Sequence, residues 1–343
     1  MLERIAFLNA GTDGPAPRRA VEAVADEVER QVAEGRYDAY FARRVELREH
    51  QRDAYAALLG CPRDELSLTT TTTEGMATLI AGFGSGDRIV TSDEEHPGVF
   101  GPLARARERG AEVTVAPFAR LHEAVTPETT AVVCCHVSWV SGAVAPVELR
   151  ELEVPVIYDG AQAVGAIAVD VKGLRCAAYA GSGQKWLCGP DGSGILYVDP
   201  SHRERVPSLV PSYWNLADPD AGLDAQLHPN ARAWDNAGLS GETSRYALES
   251  LAVLDETGWD RVHADGPALA ARLAELLREA GYGVAERGRT TLVSWEDDDP
   301  AAVKARAAEA GVVIRSIPNR PLLRASVGAW NDESDLERLL AVA

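Results

Sequence analysis

No stretch of this 343-residue chain stays apolar for the ~18 residues that a membrane-spanning helix needs, so a membrane partner is not expected. Positive charge is scarce as well: 34 Lys and Arg stand against 52 Asp and Glu, a formal net charge of −18. A surface of that sign repels phosphate backbones and anionic headgroups, which argues against nucleic acid or a lipid surface as partner. Cysteine is sparse and odd in number, five in all, with no C-x-x-C spacing. Cys61, Cys134, Cys135, Cys176 and Cys188 fall mostly in apolar, strand-like runs and read as buried free thiols, so no metal site is expected. Internal repeats and low-complexity tracts are missing. Residues 1–14 lack a charged segment followed by an apolar core, so they do not read as a secretory signal, and a cytoplasmic location is expected.

The remainder has the composition of an ordinary globule, 46% hydrophobic and 25% charged. Strand-like runs at 66–70, 88–92, 112–117, 131–138, 154–159, 177–182 and 194–198 alternate with helix-period segments such as 18–33, 74–82 and 97–108. This alternation predicts an α/β fold with a mostly parallel seven-stranded sheet, its ligands bound at the carboxyl ends of the strands. Residues 201–240, rich in Pro, Trp, Asn and Asp, read as irregular loop, and 31–44 and 212–234 as loops near the site. Helical patterns at 242–255 and 267–280 then open a smaller α+β unit. The expected division is an N-terminal arm over 1–16 that contributes to the active site, a large domain over 17–238 and a small C-terminal domain over 239–343.

Two segments carry chemistry together. An apolar strand ends in Asp159, in the run VPVIYDGAQAVG, where a carboxylate alone would read equally well as a helix N-cap. The run YAGSGQKWLCGPDGSGILYV follows, with Lys185 set between Gly, Trp186 and a tight turn. An ammonium in such an apolar setting loses hydration, its pKa falls, and the neutral amine can condense with an aldehyde. A strand-borne carboxylate can pair with a pyridine nitrogen, so the two together predict a pyridoxal-5′-phosphate (PLP) site. A phosphate cradle is also present. LSLTTTTTEGMAT runs from strand to helix, and the Thr72 and Thr73 hydroxyls with the free N–H groups of the first helical turn suit a dianion. His96, in SDEEHPGVF, reads either as a loop histidine in an acidic cluster or as an imidazole stacked on the ring.

These residues resemble the class V aminotransferase family of fold-type I PLP enzymes. The resemblance rests on LNAGTDGP (8–15), TTTEGM (71–76), EEHPG (94–98), HVSWVSG (136–142), YDGAQAVG (158–165), SGQKW (182–186) and RASVGAWN (324–331), in the family's order. It implies that Lys185 forms the Schiff base and acts as acid–base, that Asp159 pairs with the ring nitrogen, and that Gln162 bonds the ring hydroxyl. By the same resemblance His96 stacks on the ring, while Thr72, Thr73 and Ser182 hold the phosphate. Arg324 binds the substrate carboxylate, with Trp139 and Asn9 on the substrate side. A homodimer acting on a small-molecule amino acid is also implied.

Departures from the pattern narrow the activity. The loop 311–323, GVVIRSIPNRPLL, has no cysteine where the desulfurases of this family carry their nucleophile. Gln184 stands where the family has histidine before the lysine, and Trp139 where an asparagine is common. The family's phosphate-binding Thr from the neighbouring subunit has no clear counterpart, Gly238 or Ser240 falling near its place. The combination resembles most the cysteine/cystine C–S lyase branch, and β-elimination giving pyruvate, ammonia and a thiol or persulfide is the expected reaction. Transamination, or epimerisation as in the isopenicillin-N-epimerase-like group, is the alternative, and a non-catalytic PLP-fold binding protein a more distant one.

Overall fold

The structure, a computed structural model, describes residues 4–343; the first three residues of the expected N-terminal arm lie outside the described residues. In chain order β1 (Ala6–Phe7) precedes α1 (Arg18–Glu34), α2 (Asp38–Leu59), β2 (Leu66–Thr69), α3 (Thr72–Ile80), β3 (Arg88–Ser92), α4 (Pro97–Glu108) and β4 (Glu112–Ala116). Then come β5 (Ala131–Cys135), β6 (Val156–Asp159), β7 (Ala178–Ser182) and β8 (Gly194–Val198). After a stretch of short 3₁₀ turns follow α5 (Gly241–Thr257), α6 (Trp259–Glu279), β9 (Leu292–Glu296), α7 (Pro300–Glu309), β10 (Val312–Val313), β11 (Arg315–Ile317), β12 (Leu322–Ser326) and α8 (Glu333–Leu340). Among the described residues no helix is long and apolar enough to cross a membrane.

Seven strands form one sheet in the order β2-β8-β7-β6-β5-β3-β4. Strands β4, β3, β5, β6 and β7 run parallel, and β8 runs antiparallel to both β7 and β2. The expected mostly parallel sheet is therefore present. The two reversals at β8 bring the carboxyl end of β2 to the same edge as those of β3, β5, β6 and β7. Strands buried on both faces need apolar or small residues at every position, and β5 (AVVCC) and β8 (GILYV) are buried throughout. Separate apolar clusters cover the two faces of the sheet. A third cluster unites Leu273, Leu277, Trp295, Leu323 and Leu336 with Ala6 and Leu8. It includes the arm because β1 pairs in parallel with β10. Helix α5 lies against α1 and α2, so Leu251 and Leu254 belong to the core of the large sheet.

Two stretches depart from the sequence reading. Residues 31–44 are mostly helical: α1 continues to Glu34 and α2 starts at Asp38. The pattern hides α2 because its inward face carries Arg48, Gln51 and Arg52 among Leu47, Tyr55 and Leu59, which breaks the apolar stripe. The second helix of the C-terminal third starts at Trp259, eight residues before the expected Pro267, which lies buried inside α6. Pro favours a helix start, but the apolar face Ala270, Leu273 and Leu277 packing toward β9 outweighs the missing N–H.

Arg48 and Arg52 are 1% exposed, and both converge on Asp235. Asp235 Oδ1 also accepts from the Ser67 hydroxyl and the Leu68 N–H at 3.0 Å each, which ties the 3₁₀ stretch to β2. Burial pushes the Arg48 guanidinium down to about 10. Asp235→Ala leaves the buried Arg48 without an ion pair and Arg52 with Glu49 alone, and a loss of about 3–5 kcal/mol is expected, read as a lower urea midpoint in equilibrium unfolding.

Candidate active site

The shared strand edge holds a cavity of about 290 Å³. Strand β6 ends in Asp159, whose Oδ1 accepts the Ala161 N–H at 2.8 Å. Burial raises the Asp159 pKa, while Lys185 and the Ala161 N–H draw it back. The end of β7 and the turn after it carry Ser182, Gln184 and Lys185 into the same space. Burial lowers the Lys185 amine to about 8 although Asp159 pulls the other way, and Arg324 adds to the lowering. A substantial fraction of this amine is therefore neutral near pH 8, as condensation with an aldehyde requires.

At the end of β2, the Thr71 hydroxyl accepts the Glu74 N–H at 3.0 Å and caps α3. Thr71, Thr72 and Thr73 at the start of α3 line the cavity, and the first N–H groups of a helix have no partner within it. Thr72 Oγ1, Ser182 Oγ and Gln184 Oε1 are buried without a hydrogen-bond partner. Unpartnered buried polar atoms are costly; beside a helix N-terminus the Thr72 and Ser182 hydroxyls can donate to a phosphate, whereas Gln184 Oε1 can only accept. Gly98 completes the wall, since a Cβ there would stand 2.4 Å from Thr73 Oγ1.

The segment Glu94–His96 fastens the opposite wall. Glu94 accepts from Ser138 and, at 2.7 Å, from Ser141, which holds the loop bearing Trp139. Glu95 accepts from Ser92 and from the Cys135 N–H at 3.0 Å, and burial raises its pKa to about 8. His96 Nδ1 accepts the Gly98 N–H at 3.1 Å, and the ring meets Trp139 edge-on at 5.2 Å. Burial, followed by Lys185, Arg315 and Arg324, lowers His96 to about 4. The imidazole is thus neutral at pH 7, an uncharged wall without a proton to give from Nδ1.

Arg324 is fully buried on β12 and donates Nη1 to the Trp139 carbonyl at 2.7 Å. Its Nε and Nη2 have no partner. These two atoms form one edge of the guanidinium and can grip a carboxylate with two parallel bonds. Gly11 allows the arm to close over this edge, because a Cβ there would stand 2.8 Å from Arg324 Nη2.

Lys185, Asp159, Gln162, His96, Thr72, Thr73, Ser182, Gln184, Arg324 and Trp139 all line this one cavity. Asn9, expected on the substrate side, does not. Its side-chain oxygen accepts the Thr12 hydroxyl at 3.0 Å, and its carbonyl the Thr12 N–H, so it shapes the turn of the arm. Gln162 is already engaged, donating Nε2 to the Gly11 carbonyl at 2.8 Å and accepting from Trp186 Nε1 at 3.1 Å. A second Nε2 proton remains for a ring hydroxyl. The Ser240 hydroxyl caps α5 through the Thr243 N–H.

Sequence reasoning missed Arg315 and Asp13 in the cavity wall. Arg315 pairs directly with Arg324 across the β11–β12 ladder. Like charges opposite each other on one face of a sheet are unfavourable, so their retention implies an anionic ligand. The signal lay in IRSIPNRPLLR, two arginines equidistant from a hairpin turn. Cys135 also lines the cavity, but its Sγ lies 3.8 Å from the Glu94 carbonyl, and burial, Glu95 and Asp159 raise its pKa well above the usual range. It is a neutral thiol. Among the described residues, no group of three or more His, Cys, Asp or Glu is placed to hold a metal ion.

The chain is similar to known proteins over nearly its whole length. The family model described as aminotransferase class-V matches residues 5–339. The chain is 26% identical to isopenicillin N epimerase of Streptomyces clavuligerus over 97% of its own length and 92% of that protein. It is 30% identical to a probable cysteine desulfurase of Methanothermobacter thermautotrophicus over 60% of its length and 55% of that protein. Its fold matches, with a TM-score of 0.91 at 22% identity, the complex of the cystine C–S lyase C-DES with its reaction product cysteine persulfide, covering 99% of this chain and 97% of that one.

Proposed function

The chain belongs to the class V aminotransferase family, a family of PLP-dependent enzymes, and we propose that it is a β-eliminating carbon–sulfur lyase acting on an L-amino acid such as cysteine, cystine or an S-conjugate. Lys185 would anchor the cofactor, Asp159 would hold its ring nitrogen, and Gln162 its hydroxyl. His96 would cover the ring, Thr72, Thr73 and Ser182 would hold the phosphate, and Gln184 would meet the cofactor with its amide. PLP supplies an aldehyde that condenses with amines and a conjugated ring that takes up the electron pair released at Cα.

The observation that carries the lyase reading is the cavity's lack of a usable sulfur acceptor. Arg324 presents a free carboxylate-binding edge and Lys185 a low-pKa amine, but the one thiol in the lining, Cys135, is held neutral by burial. Passing sulfur to a protein thiol needs a thiolate, whereas elimination needs only a base at Cα and an expelled leaving group. Arg324 orients the substrate by its carboxylate so that Lys185 can take the Cα proton. Trp139 limits water above that carbon. The likeness to desulfurases and to a cystine C–S lyase supports a sulfur-bearing substrate.

Epimerisation is the second reading, supported by the full-length likeness to isopenicillin N epimerase. It shares the loss of the Cα proton, but the proton must return to the opposite face, where the neutral His96 is a poor donor. Incubation with cystine and no keto acid is expected to give pyruvate in molar excess over enzyme. Solvent deuterium entering Cα without pyruvate would replace the lyase by an epimerase, and amination of an added keto acid without pyruvate would replace it by an aminotransferase. A homodimer is part of the proposal, and exposed apolar residues on α2 and the 3₁₀ stretch, Phe41, Tyr213 and Leu227 among them, provide a surface for it.

A further inference from the structure

Two buried carboxyls flank one residue of β5 at the edge of the sheet. Asp159 ends β6, and its Cα partner on β5 is Cys135. Glu95, 2% exposed, reaches Cys135 from the other side. Strands β3 and β5 pair as far as Thr91 and Val133. Two residues further along β5, the Cys135 N–H donates to Glu95 Oε1 at 3.0 Å, where a strand carbonyl would otherwise serve. The next N–H, that of His136, donates to the Asp159 carbonyl at 2.8 Å. The Glu95 side chain thus completes the ladder that presents Asp159, one residue before His96.

The placing of the donors indicates the form in which Glu95 does this. The Ser92 hydroxyl and the Cys135 N–H both meet Oε1, and Oε2 is buried without a partner. A carboxylate spreads its charge over both oxygens, so a dry, unbonded Oε2 would hold part of an unpaired buried charge, at high cost. A neutral acid accepts both donors on its carbonyl oxygen and leaves a hydroxyl at Oε2. The groups around Glu95 are Ser92 on β3, the Cys135 N–H and thiol on β5, and Asp159 on β6, with no cation among them. The Cys134 and Cys135 thiols are themselves held neutral by burial. Asp159 differs, because Lys185 and the Ala161 N–H favour its charged form. Nearby carboxyls whose surroundings push them apart take different protonation states.

We propose that Glu95 is a positioning residue that works uncharged: its carboxyl fixes the end of β5 beside Asp159 and adds no second negative charge there. Asp159 is then left as the anion for the ring nitrogen. This rests on the reading of Asp159 as the partner of that nitrogen, and not on the choice between elimination and epimerisation.

The first arm of the test needs no cofactor. Apo-protein is unfolded in urea across a pH series for wild type and for Glu95→Gln, which keeps the Oε1 acceptor without a titrating proton. A carboxyl raised from 4.5 to about 8 binds its proton more tightly in the folded state, so its stabilisation is present at low pH and lost as pH rises to about 8. The unfolding constant of wild type relative to the variant is expected to rise by up to about tenfold per pH unit between about pH 5 and 8, and to level off above. A ratio that does not change with pH would mean that Glu95 is ionised in the fold, and would overturn the proposal. The second arm is PLP affinity at pH 7, read from the cofactor's visible absorbance. Glu95→Gln should bind PLP within about twofold of wild type, and Glu95→Ala about tenfold more weakly, the size of one hydrogen bond. A Gln variant as weak as the Ala variant would show that the charge is needed, and an Ala variant as tight as wild type that nothing is positioned. Either result overturns the proposal. Asp159→Asn tests the premise separately: if it binds PLP as wild type does, the reading of Asp159 and the positioning role built on it fail, while the pH series still decides whether Glu95 is uncharged.

Discussion

Lys185→Ala is expected to lower turnover by on the order of 10⁴-fold, the upper end of what one positioned proton-transfer group contributes, because the same amine would anchor the cofactor and take the Cα proton. The fold should survive, since the Lys185 side chain has no hydrogen bond or ion pair among the described residues and faces a cavity. A pH signature accompanies this loss. Burial sets the amine to about 8. In apo-protein it is mostly neutral above that pH and mostly charged below it. The rate of PLP uptake should therefore climb as pH rises through about 8 and level off beyond. Asp159 holds this value up, so Asp159→Asn should move the midpoint to lower pH. Stopped-flow absorbance measures both. A pH-independent uptake rate in wild-type protein would contradict the account.

The second large effect is at Arg324. Arg324→Met keeps the apolar stem of the side chain but removes the guanidinium with both free donors, and kcat/KM should fall by about 10²–10³-fold, as expected for a lost two-point ionic grip. Stability should move the other way or not at all. Burial pushes the Arg324 pKa down, Arg315 adds to the strain, and only Nη1 has a partner. A desolvated, half-satisfied cation costs the fold energy, which Met would relieve. Urea unfolding beside steady-state kinetics tests the pair. A large drop in stability would mean that Arg324 is structural.

Much of this site was legible because the fold concentrates chemistry at strand ends. A strand leaves its last residue at the sheet edge, so Asp159, the segment Ser182–Lys185, the threonine cradle and His96 could be brought to one place from strand periodicity alone. The parts that were not legible depend on long-range packing. Helix α2 escaped because Arg48 and Arg52 satisfy themselves on Asp235, 183 residues from Arg52 in sequence, and so occupy positions where an apolar stripe was expected. Pro267 looked like a helix start because local propensity places it there, and packing outweighed propensity. Arg315 was passed over because its place opposite Arg324 depends on the hairpin register, which the arginine spacing in IRSIPNRPLLR only hints at. Asn9 looked like a ligand-facing polar residue, but the turn at Thr12 uses its side chain.

The most direct test of Lys185 as cofactor anchor uses the chain's shortage of lysine. There are three: Lys172, Lys185 and Lys304. Lys172 is ion-paired with Glu65 and Asp199, and Lys304 is exposed on α7. Borohydride reduction of the holoenzyme followed by peptide mass mapping is predicted to place one phosphopyridoxyl group on the peptide carrying Lys185 and none on the other two. Label on Lys172 or Lys304 with Lys185 unmodified would contradict the account.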